Sequence, residues 1–442
     1  MLQLLFFLRE RLKEMRIERA RGTRDFMPAE MQKRRVMETK MRDIADKWGY
    51  DEIRTPSFER AELFTLKSGE GILNELYEFK DKGGRHLALR PELTAPVTRM
   101  YVNELKMAPK PIKIYYFGNC FRYEEPQKAR YREFWQFGTE IIGSDRPESQ
   151  AEIIALAYFI ANSLGIKAEL HVGHVGLIRD VLQTANVVGD SINQVMRLID
   201  KGERESVIAL LSEIGTRTEL IDDLIYLIDL SGKETLREAR ARNIIASDSA
   251  ALTELEQLLE LLEYYNVDYT LNLGIARGLD YYTGMVFEMY EAGGKLGAQN
   301  QICGGGSYRL AALFGGDDTP STGFAFGFDR LAELYSPEAE DLKSIKVVVV
   351  PIRAKEGDPK VTKEAITIAT TLREFFHTYM DVMGRSISAQ LSYANSIPAS
   401  FAVLVGKKEV EEGKVTLRNL ESGEQEKLGM DECVERIKKG VF

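Results

Sequence analysis

Apolar residues at Met31, Val36, Met37, Met41, Ile44 and Ala45 recur at roughly helical spacing, and Gly49 ends the run. A helix is predicted there. DEIRTPSFE then reads as a strand, and Pro56 suits an edge or interface because proline donates no N–H to a ladder. LYEFKDKGGRHLALRPEL reads as two strands folded back at Lys82-Gly83-Gly84. A second hairpin is predicted from IKIYYFGNCFRYEE and YREFWQFGTEIIG, around a loop with Pro126. ESQAEIIALAYFIANSL, residues 148–164, carries the apolar stripe of an amphipathic helix.

From 175 to 270 the pattern changes to short helices, clearest in LTELEQLLELLEYY. Strands resume with YTLNLGIARGLDYYTGMVFEMYE. A glycine cluster, CGGGSY, follows, and STGFAFGFDRLAEL reads as a strand running into a helix. Strands joined by hairpins favour antiparallel pairing. A largely antiparallel sheet interrupted by a helical insertion is therefore expected before residue 344. Beyond it, VVVVPI and FAVLVG are continuous apolar runs of the buried-strand kind. KEAITIATTLREFF and MDECVERIKKG read as helices, and KVTLRNLESGEQEKL as a hairpin. That alternation predicts a small α/β domain. The expected fold class is α+β. The expected division is an extension at 1–14 ahead of an alternative start at Met15, a main domain of 15–174 and 271–343, an insertion at 175–270, and a C-terminal domain at 344–442.

Composition narrows the class. With 44% hydrophobic and 29% charged residues the chain resembles soluble globular proteins. No apolar run reaches the roughly 18 residues of a membrane helix, and LQLLFFL lacks the flanks of a secretory signal. A cytoplasmic protein without a membrane partner is expected. Cys120, Cys303 and Cys433 are far apart, with no CxxC, which argues against a zinc knuckle or a disulfide framework. His171 and His174, in ELHVGHVGL, are read as structural residues of a strand and turn. No metal site built from protein ligands is expected. The net charge of −9 is carried by the middle: residues 175–270 hold 9 basic and 18 acidic residues, whereas 345–442 hold 15 and 14. A broad basic footprint is absent, so any RNA contact must be local and led by shape.

The chain has no GxxxxGK[ST] loop and no GxGxxG after a strand. A bound nucleotide would need side chains to hold its phosphates. FRYEEPQKARYREFWQFGTE, 121–140, offers them. Guanidinium forks match phosphate oxygens and stay charged at any working pH. Arg122 and Glu124 share a strand face. The carboxylate could accept from an exocyclic amine such as adenine's, and Phe134 could stack on a base. Taken alone, the same pattern also describes a hairpin with solvated ion pairs. RPELTAP, GIARGLDYYTG and GFAFGFDRL change the balance. Each sets charged groups beside glycine or proline in apolar strands, where glycine lets a ligand approach the backbone. Four such places in one sheet point to one pocket.

These segments closely resemble the motifs of the histidyl-tRNA synthetase family, of the class II aminoacyl-tRNA synthetases, from about residue 20 to the C-terminus. RGLDYYTG is peculiar to that family and its relatives, whereas F-R-x-E and G-x-x-R belong to the whole class. RGTRDFMPAE is also similar. The resemblance implies an antiparallel-sheet catalytic domain with a helical insertion, plus an α/β anticodon-binding domain. It implies ATP-dependent activation of L-histidine to histidyl-adenylate, then transfer to tRNA(His), with ATP as substrate and Mg²⁺ beside it. By that likeness Arg122, Arg277 and Gln136 are catalytic. Histidine is held by Glu92, Leu93, Thr94, Arg122, Gln136, Glu140, Arg277, Tyr281 and Tyr282. ATP is held by Arg122, Glu124, Phe134, Arg277 and Arg330. Pro56 matches the proline of the class dimer interface, which implies a homodimer. Glu140 and the Tyr282 hydroxyl would face the imidazole, so no proofreading site is expected. One departure stands out: the family usually has G-G-R-Y-D where this chain has Gly305-Gly306-Ser307-Tyr308-Arg309. Two other functions compete. One is the histidine-sensing regulatory subunit of ATP phosphoribosyltransferase, which typically lacks the anticodon domain. The other is an RNA-binding module with a degenerate catalytic sheet.

Overall fold

Two ten-residue strands set the architecture. Ile112–Phe121 and Glu133–Ile142 pair antiparallel, with Ile112 opposite Ile142 and Phe121 opposite Glu133. The computed structural model describes residues 17–66, 74–125, 130–232, 234–275, 282–297, 300–338, 341, 344–352 and 358–440. Contacts divide the chain into two units, 1–337 and 338–442.

In the first unit the strands, in chain order, are β1 (Asp51–Glu52), β2 (Phe58–Arg60), β3 (Glu78–Lys80), β4 (His86–Leu89), β5 (Ile112–Phe121), β6 (Glu133–Ile142), β7 (Ala168–His174), β8 (Thr270–Leu271), β9 (Tyr282–Glu291), β10 (Gln301–Tyr308) and β11 (Ser321–Gly327). Eight of them form one sheet in the order β1-β5-β6-β11-β10-β9-β7-β8. Only the outer pairs, β1 with β5 and β7 with β8, run parallel. A second sheet has the order β2-β4-β3. The single strand expected from DEIRTPSFE is thus two strands in two sheets, parted around Pro56. The turn from β3 to β4 is held by Asp81, whose Oδ1 accepts from the N–H of Gly83 and of Arg85, each at 2.9 Å.

The period-two alternation of the large sheet separates two chemistries. On one face Phe137, Ile141, Phe287, Met289, Phe324 and Phe326 are buried in a continuous apolar core. Helices Pro28–Lys47 and Pro147–Ser163 contribute Met37, Met41, Ala45, Ile153, Ile154 and Ala157 to it. Proline opens both helices, where its missing N–H costs no bond. The described residues of 175–264 are mainly helical, ending in helix Ala250–Tyr264, whose Leu252, Leu255, Leu258 and Leu262 join the same core. On the other face stand Gln136, Gly138 and Glu140 of β6, Gly323, Ala325 and Gly327 of β11, and Gly304 and Gly306 of β10, in register across the ladder. That face is a shallow trough, because its middle rows carry almost no side chains.

CGGGSY, a cluster that could equally have been a turn, lies inside β10. A Cβ on Gly305 would sit 2.4 Å from the Gly323 carbonyl oxygen and 2.5 Å from the Phe287 ring, and one on Gly306 would sit 2.7 Å from the Tyr282 ring. Only glycine fits there.

The second unit holds β12 (Lys346–Pro351), β13 (His377–Met380), β14 (Phe401–Val405), β15 (Val415–Asn419) and β16 (Gln425–Leu428), in the order β13-β12-β14-β15-β16. β12 is parallel to both neighbours, and β14, β15 and β16 are antiparallel. Val347 and Val349 face one apolar cluster, Val348 and Val350 another. A strand covered on both faces has no polar side, which is why VVVV runs unbroken.

Candidate active site

A cavity of about 480 Å³ opens where β6, β10, β11 and the chain just past β5 meet helix Phe328–Leu334. Its walls bring together five residues singled out from sequence: Arg122, Glu124, Phe134, Gln136 and Arg330. Arg122 follows the last residue of β5. Its backbone N–H donates to the Arg132 carbonyl at 2.9 Å, and the Arg132 N–H donates to that of Gly22 at 2.8 Å. Arg122 Nε donates to the Pro91 carbonyl at 3.0 Å, which aims the guanidinium over the Phe134 ring, 5.1 Å from its centroid. Arg122 Nη1 lies 3.9 Å from Glu124 Oε1, and Arg130 Nε donates to Glu124 Oε2.

Burial opposes charge on Glu124, yet the Arg130 hydrogen bond and the nearby Arg122 hold its carboxyl below the usual range. Arg330 Nη1 donates to the Gln301 carbonyl. Burial, with Arg130 and Arg122 close by, lowers the Arg330 guanidinium from its ordinary value. Arg122, Arg130 and Arg330 face two carboxylates, Glu124 and Asp329, and Asp329 is already paired with Arg34, so the cavity keeps surplus positive charge. That combination, beside an aromatic ring, accepts a planar heterocycle joined to a polyanion.

Farther along β6 the trough changes character. Cys120 Sγ donates to Gln136 Oε1 at 3.2 Å. Glu140 is 1% exposed and accepts from the Tyr116 hydroxyl at 3.1 Å and the Tyr308 hydroxyl at 2.8 Å. Burial pushes its carboxyl up to about 7, against the bonds from Tyr308, Tyr116 and Thr94 that favour the anion. A carboxylate has lone pairs for about four bonds, so Glu140 can still receive a donor from a ligand. Gly323 makes room for it: a Cβ there would fall 1.6 Å from Glu140 Oε2. Tyr282, 7% exposed, lies against Gly306 and pairs in register with Tyr308. This part of the trough suits a small ring with one N–H to donate.

Glu92 and Thr94 sit at the start of helix Thr94–Met100. The Glu92 carboxylate accepts from the N–H of Thr94 at 2.6 Å and of Ala95 at 3.1 Å. Leu93 is buried in an apolar cluster with Val97, Tyr101 and Tyr116 and brings no polar side-chain group. Arg277 and Tyr281 lie outside the described residues. Sequence reasoning missed Tyr116 and Arg130. Tyr116 shares the face of Gly118 and Cys120 by period two, and that signal could have found it. Arg130 had no comparable signal beyond its place in the charged hairpin.

The family description Histidyl-tRNA synthetase matches residues 22–331, and the description Anticodon binding domain matches residues 346–440. A Histidine--tRNA ligase of Methanosarcina acetivorans is 50% identical over 423 residues, 96% of this chain and 99% of that protein. One from Archaeoglobus fulgidus is 53% identical over 412 residues, 93% and 97% of the two chains. The crystal structure of apo S. aureus histidyl-tRNA synthetase superposes with a TM-score of 0.72 at 29% identity, covering 96% of this chain and 100% of that one. Its α+β fold, its sequence and these likenesses agree: the chain belongs to the histidyl-tRNA synthetase family.

Proposed function

We propose that this chain activates L-histidine with ATP and transfers the histidyl group to tRNA(His). The cavity shared by Arg122, Glu124, Phe134, Gln136 and Arg330 carries the reading, since it joins a nucleotide-type pocket to a trough ending at a buried carboxylate. Adenine is placed on Phe134 with its exocyclic amine toward Glu124, and the phosphates lie among Arg122, Arg330 and, by family likeness, Arg277. The histidine ring is placed against Glu140 and Tyr282, with Tyr281 supporting the pocket, and its α-amine near Glu92, Thr94 and Gln136.

In the first step the histidine carboxylate oxygen attacks the α-phosphorus. The bond to the bridging oxygen breaks, and pyrophosphate leaves with that electron pair. Fixed guanidiniums lower the barrier by positioning the reactants and by facing the charge on the transferring group. In the second step a ribose hydroxyl at the tRNA 3′ end attacks the activated carbonyl, loses its proton, and AMP departs. Mg²⁺ belongs to this proposal as the counter-ion of the nucleotide phosphates. Among the described residues no group of three or more His, Cys, Asp or Glu side chains gathers to hold a metal. A substrate lacking the imidazole N–H and ring nitrogen would leave buried polar groups unpaired, a penalty that can discriminate by about 10⁴–10⁵ without editing.

The match of residues 346–440 to an anticodon-binding domain favours charging over the regulatory-subunit alternative. A homodimer through the Pro56 region and a cytoplasmic location complete the proposal. Among the described residues no helix is long and apolar enough to cross a membrane. Histidine-dependent exchange of pyrophosphate into ATP, followed by charging of tRNA(His), tests it. Exchange without charging would favour the histidine-sensing paralogue, and absence of both would leave only a binding module.

A further inference from the structure

Arg90 is 4% exposed and carries a full guanidinium into the interior. Its Nε donates to the Asn119 carbonyl at 2.7 Å. Nη1 donates to the Thr55 carbonyl at 2.8 Å and the Pro56 carbonyl at 3.1 Å, and Nη2 to Asn119 Oδ1 at 3.1 Å. None of these acceptors is a carboxylate. Burial lowers the guanidinium from its ordinary value. A buried cation whose hydrogen-bond acceptors are all neutral, with Glu59 acting only through space, is a poor way to gain stability, since an apolar side chain of similar volume serves at least as well. What the fork supplies is geometry. It reaches two chain segments at once, and the neighbouring strand is cut back to admit it: a Cβ on Gly118 would lie 2.6 Å from Nη2.

The residues after Arg90 lead to the site. Backbone bonds tie Arg90 to both flanks, its N–H to the Ser57 carbonyl at 3.1 Å and its carbonyl to the Phe121 N–H at 2.9 Å. The next carbonyl, that of Pro91, takes the Arg122 Nε–H at 3.0 Å. The residue after it, Glu92, caps the helix that begins at Thr94. Proline at 91 leaves this stretch one N–H short, so the side-chain fork carries a larger share of its anchoring.

We propose that Arg90 is a positioning residue for Arg122: its fork clamps Thr55–Pro56 and β5 around Pro91, whose carbonyl engages Arg122 Nε and so fixes where the Nη groups stand in the cavity beside Glu124. The consequence for the reaction rests on the function proposed above, while the geometric part does not. Lysine at 90 keeps the charge but loses the fork.

The test is a kinetic cycle with R90K, R122K and the double variant, read by pyrophosphate exchange. Misplacing a catalytic group by about 1 Å can cost about 10²-fold, so R90K is expected to lose about that factor in kcat. Its KM for ATP should move less than about threefold, because Glu124, Phe134 and Arg330 are untouched. In the R122K background the same change should cost less than about threefold, since groups acting as a unit are not additive. A wild-type kcat in R90K, or an equal loss in both backgrounds, overturns the proposal. Asn119→Ala removes the Nη2 acceptor while keeping Arg90, and it decides the matter should R90K not fold: a fall of about tenfold in kcat supports the clamp, and no fall refutes it. A crystal structure of R90K or of N119A gives a readout independent of turnover. Arg122 Nε leaving Pro91 supports the clamp, and Nε remaining on that carbonyl refutes it. Wild-type protein without exchange activity would overturn the proposed function, and the crystal comparison would still decide the clamp.

Discussion

Under the proposed function, Glu140 is the residue where ligand recognition and stability pull apart. Its ordinary value of 4.5 rises to about 7 in the fold, chiefly through burial. Each unit corresponds to 1.36 kcal/mol, so keeping the carboxylate ionised costs the folded state about 3 kcal/mol at most. The sign follows from linkage. A carboxyl whose folded value is raised binds its proton more tightly when folded. Its contribution to stability is fully present below pH 4.5 and is lost as the pH rises through about 7. Glu140→Gln removes the titration and keeps an oxygen for Tyr116 and Tyr308. The variant should therefore gain on the wild type as pH rises from 5 to 8, by up to about 3 kcal/mol, measured from urea midpoints and slopes at each pH. Histidine recognition should move the opposite way. At pH 8 the KM for histidine in pyrophosphate exchange should rise at least about tenfold in E140Q, with the KM for ATP unchanged. In the wild type that KM should climb as pH falls below 7, and any climb that persists in E140Q belongs to the substrate's own imidazole. A stability difference that stays constant from pH 5 to 8 would refute the assigned cost of the buried charge. An unchanged histidine KM in E140Q would refute its role.

Three other perturbations separate the parts of the site. Gly323→Ala drives a methyl group into Glu140 Oε2, which a Cβ would approach to 1.6 Å, so the histidine KM should rise by about 10²-fold while ATP binding by calorimetry stays within about threefold. Phe134→Ala should do the reverse, weakening ATP by about 1–3 kcal/mol of lost base stacking in the same calorimetric titration. Arg34→Met leaves Asp329 buried without its ion-pair partner at 2.8 Å, and chemical denaturation should report a loss of about 3–5 kcal/mol.

How far the fold could be read depended on whether one face of an element was buried. β5 and β6 alternate because one side lies on the core, and Lys82-Gly83-Gly84 marks the turn between β3 and β4. HTYM, by contrast, forms the edge strand β13 with no fully buried residue, so it left no apolar signature. The helix Ile387–Ser396 beside it buries only Gln390 and Ala394, and its clearest start signal is Ser386, whose hydroxyl accepts from the Ala389 N–H at 3.4 Å. The CGGGSY strand was obscured for another reason. Glycine disfavours strands, and its presence there is explained by Gly323, Phe287 and Tyr282, each remote in sequence. Arg122, Glu124, Glu140 and Arg330 were legible through family motifs, and Arg130 was not. Their supports were not: Arg34 meets Asp329 across 295 positions, and Asp329 also accepts the Trp135 N–H at 2.7 Å. Burial pushes the Asp329 carboxyl up even so. No local pattern announces such a pairing.

The departure at Ser307-Tyr308-Arg309 now has a physical account. Where the family usually carries an acidic residue after the tyrosine, this chain carries Arg309. Its Nη2 pairs with Asp145 at 2.9 Å and its Nη1 with Asp318 at 2.9 Å. These pairs are partly solvated, and each alone is worth little. Their location matters more than their strength. Asp145 follows β6, Asp318 precedes β11, and Arg309 follows β10, so one guanidinium ties the ends of three strands that meet below the trough. The adjacent Tyr308 has to deliver its hydroxyl to Glu140 at 2.8 Å across a break in register between Gly306 and Tyr308. A strand end loosened by that irregularity would let the phenol drift, and Glu140 would lose the shorter of its two phenol hydrogen bonds. Arg309, met by carboxylates on both sides, braces the strand end that carries Tyr308.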